Sequence, residues 1–369
     1  MLDKFMRVEM LPALHGDCLL VEYGDETRTR RLLIDGGPIG AYGALQDRME
    51  ALPAGDRRFE LMVLSHVDTD HIDGLVRLFA NPKPWPFVVK DVWFNGWRHL
   101  EQAHGLLGGK QGEYFSALLS RRLEDGIWNG AFDGNAVVVR DDEALPERTL
   151  AGDMKLTLLS PTVTKLVKMR DAWRNDIGDA IEPGDLDAAW ELLAKQKRYL
   201  PGQGLLGSTP ALDALLAKQS RPDNAAANGS SIAFLAEFGG KSCLFLADAH
   251  ANAVCASLKR LLQQRGLERL VVDAVKVSHH GSKGNTTDEL MSLIESAKFL
   301  FSTNGAQFSH PEQEAVRRVI GRSTQGKTEL FFNYLTDRNR EWEAARLQQQ
   351  LNYAATYAVG DDTPLVVQL

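Results

Sequence analysis

Ser65-His66-Val67-Asp68-Thr69-Asp70-His71-Ile72-Asp73-Gly74 is the stretch on which the reading of this chain turns. It follows Leu61-Met62-Val63-Leu64, a continuous apolar run with the pattern of a buried strand. A strand end carries side chains to the rim of a sheet, where a loop can wrap them around an ion. Two imidazoles and three carboxylates in one decapeptide offer the nitrogen and oxygen donors that zinc, manganese or iron prefer. Crowding Asp68, Asp70 and Asp73 is unfavourable unless a cation offsets their repulsion. A solvated acidic loop holding histidines by chance is the competing reading of this stretch alone.

Two later segments repeat the arrangement. Leu244-Phe245-Leu246-Ala247-Asp248 is an apolar strand ending in a carboxylate, and Val275-Lys276-Val277-Ser278-His279-His280-Gly281-Ser282 is one ending in two imidazoles. Taken singly, Asp248 reads equally as the N-cap of a helix starting at 249, and His280 as a core histidine. Taken together, three strands ending in ligands predict convergence on one site, provided they are neighbours in one sandwich.

The rest of the chain bounds the answer. It has 369 residues, 44% hydrophobic and 25% charged, an ordinary globular composition. No apolar run approaches the ~18 residues of a membrane span, so no membrane partner is expected. Residues 1–8 carry no secretory pattern. Cys18, Cys243 and Cys255 are too few and too scattered for a disulfide framework, and a cytoplasmic location is expected. The net charge of −7 argues against a protein that works only by gripping phosphate backbones, which is usually basic. It does not exclude an enzyme that meets phosphate through a metal. The basic runs Arg28, Arg30, Arg31 and Arg317, Arg318, Arg322 read either as local phosphate contacts or, as is usual for charge runs, as solvated faces.

Strands are predicted at 4–13, 18–23, 30–35, 61–65 and 87–94. A second group is predicted at 230–238, 241–248, 273–278, 298–303, 328–334, 353–359 and 364–369. Helices are predicted at 40–52, 72–79, 249–264, 288–297, 312–321 and 338–349. Residues 162–227 are helix-biased and broken by Pro183-Gly184 and Pro201-Gly202-Gln203-Gly204. They read as a helical insertion or lid within one domain spanning 1–369, and Trp173, Trp190 and Tyr199 there either pack or line a pocket. Two strand groups, each interleaved with helices, imply an α/β chain: two sheets face to face with helices outside.

At this point the residues resemble a known family. A histidine–aspartate–histidine cluster, a later Asp and a final His, in that order, resemble the metallo-β-lactamase fold superfamily. Leu32-Leu33-Ile34-Asp35-Gly36-Gly37 is similar to its early strand ending in Asp-x-Gly. More narrowly, His15-Gly16-Asp17-Cys18, Ser65-His66 through Asp70-His71, Leu246-Ala247-Asp248, His279-His280-Gly281-Ser282 and Ser309-His310-Pro311 resemble the hydrolase domain of the ComEC-type DNA-uptake proteins. The likeness covers roughly 5–80 and 228–335, without the membrane segments of those proteins. It implies an αββα sandwich of two mixed sheets with flanking helices and one or two divalent metal ions, zinc or manganese. His66 would bind the first metal, Asp70 and His71 the second, and Asp248 would bridge them. His279 would complete the second site, with His280 behind it or at the substrate, and Asp35 would be a buried supporting carboxylate.

This sequence departs from the family pattern twice. Asp68 stands where a second histidine is usual. The region some twenty residues before Asp248 reads Asp223-Asn224 through Asn228-Gly229-Ser230-Ser231 and has no histidine. The first site is then oxygen-rich and weak, offering His66, Asp68 and Asp248, which tilts it toward manganese or magnesium. Such a centre is expected to activate water for hydrolysis of a phosphodiester, nucleic acid included, with Asp68 or Asp70 as general base. His310 is a candidate for protonating the leaving group, and Ser282 and Asn304 are candidate phosphate or oxyanion donors. A small lactone or thioester on the same fold, and a metal-poor binding scaffold, are the alternatives.

Overall fold

The computed structural model describes residues 3–81, 87–101, 110–177, 181–200, 225–323 and 326–369. Two large sheets form the frame. The six-stranded sheet runs Leu365–Gln368, Phe5–Met10, Leu19–Asp25, Arg28–Ile34, Leu61–Val63, Val92–Trp93. Its first four strands pair antiparallel and the last two join in parallel. The eight-stranded sheet runs Tyr353–Tyr357, Thr328–Phe332, Ile294–Phe301, Leu270–Lys276, Lys241–Phe245, Ala233–Phe238, Met154–Ser160, Glu147–Leu150. Its first five strands are parallel and its last four antiparallel.

Side-chain alternation makes the layers. In the first sheet Leu19, Val21, Leu32, Ile34, Leu61 and Val63 face the second sheet across one core. Leu20, Leu33, Met62 and Leu64, one residue out of phase, face a second core under the helices Tyr42–Glu50, Thr69–Ala80 and Lys110–Arg122. Strands buried on both faces read as unbroken apolar runs, which is why their sequence was so plain. The helices Ala251–Arg265 and Gln313–Val319 pack on the other sheet. The result is the αββα sandwich of mixed sheets that the resemblance implied.

Several boundaries differ from expectation. The helix expected at 72 begins at Thr69, so Asp70 and His71 lie in its first turn and not in a loop. Asp68 holds the extended N-cap conformation there. The strand expected at 87–94 is two short pieces. Val88–Val89 pairs with Arg58–Phe59 in a separate ribbon, while Val92–Trp93 joins the six-stranded sheet. Asp91, between them, accepts hydrogen bonds from Trp93 Nε1 and from the Gly130 and Ala131 amides, which breaks the run. The helix expected at 288–297 ends at Leu293, and the β-branched Ile294 opens a longer strand. The hairpin Glu147–Leu150/Met154–Ser160 had not been anticipated. The final strand leaves its sequence neighbours to pair with Phe5–Met10.

Within 162–227 the described elements are the helices Val163–Ile177, Leu186–Leu193 and Ala225–Gly229 and the turn Lys197–Tyr199. Residues 178–180 and 201–224 lie outside the described residues. Trp173 and Tyr199 are fully buried in the helix-side core. Trp190 is partly buried beneath Arg121.

Candidate metal centre

The candidate residues sit at the C-terminal ends of strands. Asp35 follows Arg28–Ile34, and Ser65 and His66 follow Leu61–Val63, its parallel neighbour. Asp248 follows Lys241–Phe245, and His279 and His280 follow Leu270–Lys276, again parallel neighbours. Parallel pairs deliver their ends to one edge, and here the edges of both sheets meet. The backbone there departs from ordinary geometry. Asp35, Ala247, His279, His280 and Ser309 all have φ between 44° and 59°. Such residues cost roughly 1–3 kcal/mol each and persist where the surroundings over-determine them, commonly at functional sites.

The helix Thr69–Ala80 is brought to this edge by a backbone-to-backbone contact. A β-carbon on Gly74 would stand 1.9 Å from Gly36 O. Gly36 N donates to His71 O at 2.8 Å and Gly74 N to Gly37 O at 2.9 Å. The Asp35-Gly36-Gly37 turn and the first turns of the helix therefore interlock.

Hydrogen bonds fix the tautomer of four imidazoles. Ser65 Oγ donates to Asp35 Oδ2 at 2.7 Å, so at 3.0 Å it accepts from His66 Nδ1. His71 Nδ1 donates to Asp35 Oδ2 at 2.8 Å. His280 Nδ1 donates to Ser302 O at 2.8 Å. Asn285 donates its amide hydrogens to Asp248 O and Ala249 O, leaving its Oδ1 to accept from His279 Nδ1 at 3.2 Å. Each ring thus carries its proton on Nδ1 and presents the Nε2 lone pair, the arrangement that supporting groups impose on metal-binding histidines.

All four Nε2 atoms turn toward one carboxylate oxygen. Asp248 Oδ2 lies 3.5 Å from His71, 3.6 Å from His279, 3.7 Å from His280 and 3.9 Å from His66. Asp70 Oδ2 is 3.4 Å from His280 Nε2 and 3.8 Å from that of His71. Asp248 Oδ1 and the Nε2 atoms of His66, His71 and His280 are buried without a hydrogen-bond partner. Buried polar atoms rarely stay unpaired. With the rings neutral, these are four lone-pair donors facing one another, and they fit a cation between them.

Charge follows the same geometry. Burial alone would raise the Asp248 carboxyl, but His279, His280 and His71 outweigh it and hold it well below the usual carboxylate range. Asp70 is lowered likewise, burial being overcome by His71 and His280. Burial works against charging the imidazoles, yet Asp248, Asp70 and Asp35 push His71 well up. Asp248 and Asp17 push His280 up to about 10 against the same penalty.

Among the described residues, the groups whose donor atoms lie within 4.8 Å of one another are His66–His71–Asp248, Asp70–His71–His280, Asp17–Asp248–His280 and Asp17–Asp35–His71. His280 enters two of them, whereas Asp68 and His279 enter none. Asp68 stands at the open side, its side chain 27% exposed and 3.6 Å from His66 Nε2. Burial, with Asp70 beside it, raises its carboxyl. Asp73 points away from the cluster: it accepts a hydrogen bond from Tyr199 Oη and lies 3.7 Å from Arg198. His310 stands over His279 with ring centroids 5.1 Å apart, and burial together with His279 and His280 pushes it down to about 4. Ser282 and Asn304 are drawn into local turns, Ser282 Oγ accepting from Gly284 N and Asn304 Oδ1 from Ala306 N.

Two residues escaped the sequence reading as functional side chains, Asp17 and Lys276. A lone lysine inside the buried run Val275-Lys276-Val277 was the available signal. Two residues beyond Asp248, His250 Nδ1 accepts from Lys165 at 2.6 Å, and next to His310, Ser309 Oγ accepts from Arg338 at 2.8 Å. Half-buried Phe308 faces His15, His279 and His310. Of the basic runs, Arg31 pairs with Glu22 and Asp56, and Arg318 with Glu314 and Asp288.

No helix among the described residues is long and apolar enough to cross a membrane. No family model and no curated protein matches the chain. Among solved structures, the chain over its full length is similar to the whole of the metallo-β-lactamase fold protein YhfI from Bacillus subtilis, at 11% identity and TM-score 0.43. It is similar, again over its full length, to 55% of CmlA, a diiron β-hydroxylase from Streptomyces venezuelae, at 12% identity and TM-score 0.39. Over 70% of its length it is similar to 74% of a Cronobacter sakazakii metallo-β-lactamase with a HARLDQ motif, at 14% identity and TM-score 0.28.

Proposed function

We propose that this protein is a metal-dependent hydrolase acting on a phosphodiester, nucleic acid being one candidate substrate. The observation that carries the reading is the convergence of unpaired, buried His66, His71 and His280 Nε2 atoms on Asp248. A divalent cation held by these residues with Asp70 would supply Lewis acidity and hydroxide at neutral pH.

The chain's own residues would do the rest. Asp35 and Ser65 hold His71 and His66 with their lone pairs forward. His279, oriented by Asn285, flanks Asp248 from the outer side. Asp68, at the open side with a raised carboxyl, is the better placed of the two candidate bases to take a proton from attacking water. His310, pushed down to about 4, is neutral at pH 7 and serves as a hydrogen-bond partner to the leaving oxygen and not as a store of protons. Lys165 and Arg338 give an otherwise acidic chain cations beside the site, which favours an anionic ester over a lactone or thioester. The ComEC-like motifs of the sequence point the same way.

The test is metal content by plasma mass spectrometry on protein prepared without chelator or nickel, followed by a substrate panel. Bis(p-nitrophenyl) phosphate, cyclic dinucleotides and single-stranded DNA are set against lactones and thioesters. Asp248→Ala is expected to lose both metal and hydrolysis. Metal retention with full activity in that variant sinks the assignment. No metal uptake by the unaltered protein turns the fold into a binding scaffold.

A further inference from the structure

Lys276 is completely buried at the end of the strand Leu270–Lys276 in the eight-stranded sheet. Its ammonium donates to Asp17 Oδ2 at 2.7 Å and to Val277 O at 3.1 Å. Asp17 belongs to the other sheet, in the loop between Phe5–Met10 and Leu19–Asp25. A lysine wholly out of water is costly unless paired, and a buried pair adds little net stability. What such a pair does add is a fixed distance.

The loop around Asp17 is fastened on three sides. Asp17 N donates to Asp70 O at 3.3 Å. A β-carbon on Gly16 would stand 1.8 Å from the same Asp70 O, so the loop lies directly against the start of the helix that bears Asp70 and His71. On the opposite side Ser302 Oγ donates to Gly16 O at 2.8 Å, while Ser302 O receives the His280 Nδ1 proton. Asp17 Oδ1 has no hydrogen-bond partner and lies 3.4 Å from His280 Nδ1. The loop thus touches Asp70, on the helix that packs over the first sheet, and backs His280, contributed by the second. Lys276 pulls it toward the second.

We propose that Asp17 and Lys276 are positioning residues of the metal centre, forming the tie between the sheets that sets Asp70 against His280. The inference rests on the metal-centre reading above. Neither residue touches the reacting atoms. They act through the separation and orientation of two ligands held by different sheets.

Cobalt(II) is the probe, because its absorption spectrum reports ligand geometry independently of turnover. Asp17→Asn keeps the shape and an acceptor for Lys276 but removes the charge that holds it. Lys276→Met removes the tie, and the double variant Asp17→Asn/Lys276→Met spares the fold an unpaired carboxylate. Supporting groups behind metal ligands typically change affinity by about 10–100-fold. The expected result is a loss of that size in Asp17→Asn, read by competition with a chromophoric chelator, together with a shifted cobalt spectrum. The double variant should stay weak even where its urea midpoint recovers. A purely structural role would lower the urea midpoint and leave affinity and spectrum of the folded variant unchanged, and that result overturns the proposal. Should Lys276→Met not fold, Asp17→Asn decides alone. Failure of the unaltered protein to bind cobalt would overturn the metal-centre reading instead.

Discussion

At the scale of single residues, the order of His279 and His280 matters most. Sequence position favoured His279, the first imidazole after Ser278, with His280 behind it. Both residues adopt left-handed backbone conformations, so the usual alternation along an extended strand end does not apply, and His280 turns fully inward. His280 Nε2 is unpaired between Asp70 and Asp248, whereas His279 reaches Asp248 from the outer edge of the cluster, 7% exposed against 0% for His280. His280→Ala is therefore expected to lose metal on dialysis, while His279→Ala keeps it with weakened affinity. Equilibrium dialysis against zinc at fixed free concentration measures both, and the reverse order would restore the sequence-based assignment. The residue types were legible because carboxylates and imidazoles are rare at the ends of apolar strands. Asp17 was not, and Lys276 only as a lone lysine in an apolar run, because an ion pair between residues 259 positions apart leaves no local trace of its partner.

At the scale of elements, the helix Thr69–Ala80 is the part on which the site depends most. Its N-terminal turn holds Asp70 and His71, and its placement rests on the contact between Gly36 and Gly74. Gly74→Ala would put a methyl group 1.9 Å from a backbone oxygen, so the helix must move. The expected cost is about 1–3 kcal/mol of stability, seen in urea denaturation, with a parallel fall in metal affinity. A stable variant with unaltered metal binding would show that the helix can slide without disturbing the ligands. Most elements were readable because strands buried on both faces give unbroken apolar runs. The hairpin Glu147–Leu150/Met154–Ser160 was harder: its edge strand Glu-Arg-Thr-Leu is polar and exposed at alternate positions and so carries no apolar run. The strand split at Asp91 was invisible because its cause is a set of hydrogen bonds to residues about forty positions away.

At the scale of the whole molecule, the two sheets meet over a cluster of opposite charges, and stability should report it. His280, raised from 6.5 to about 10, stabilises the metal-free fold fully below pH 6.5, and this contribution is lost as pH rises toward 10. His71, raised in the same sense, adds to that slope. Asp17, Asp70 and Asp248, lowered from 3.8, contribute above that value and lose their contribution as pH falls below it. His310, lowered from 6.5 to about 4, and His99, lowered to about 3, work the other way and add stability as pH rises to 6.5, so the metal-free protein is expected to be most stable near pH 6.5 and to weaken in alkali. Saturating metal should flatten the alkaline limb. Urea midpoints at pH 5.5 and 9, with chelator and with zinc, measure this, and identical alkaline slopes in the two states would refute it. The sandwich was legible from its strand groups, but the closing strand Leu365–Gln368 was not, because pairing with Phe5–Met10 follows from sheet twist and edge availability across the whole chain. The imidazole protons have one more consequence. If rings that are charged in the empty cluster must be neutral to bind a cation, loading is an acid-releasing reaction. The heat of zinc binding at pH 8 should then differ between Tris and phosphate by the number of protons released times the difference in the buffers' ionisation enthalpies.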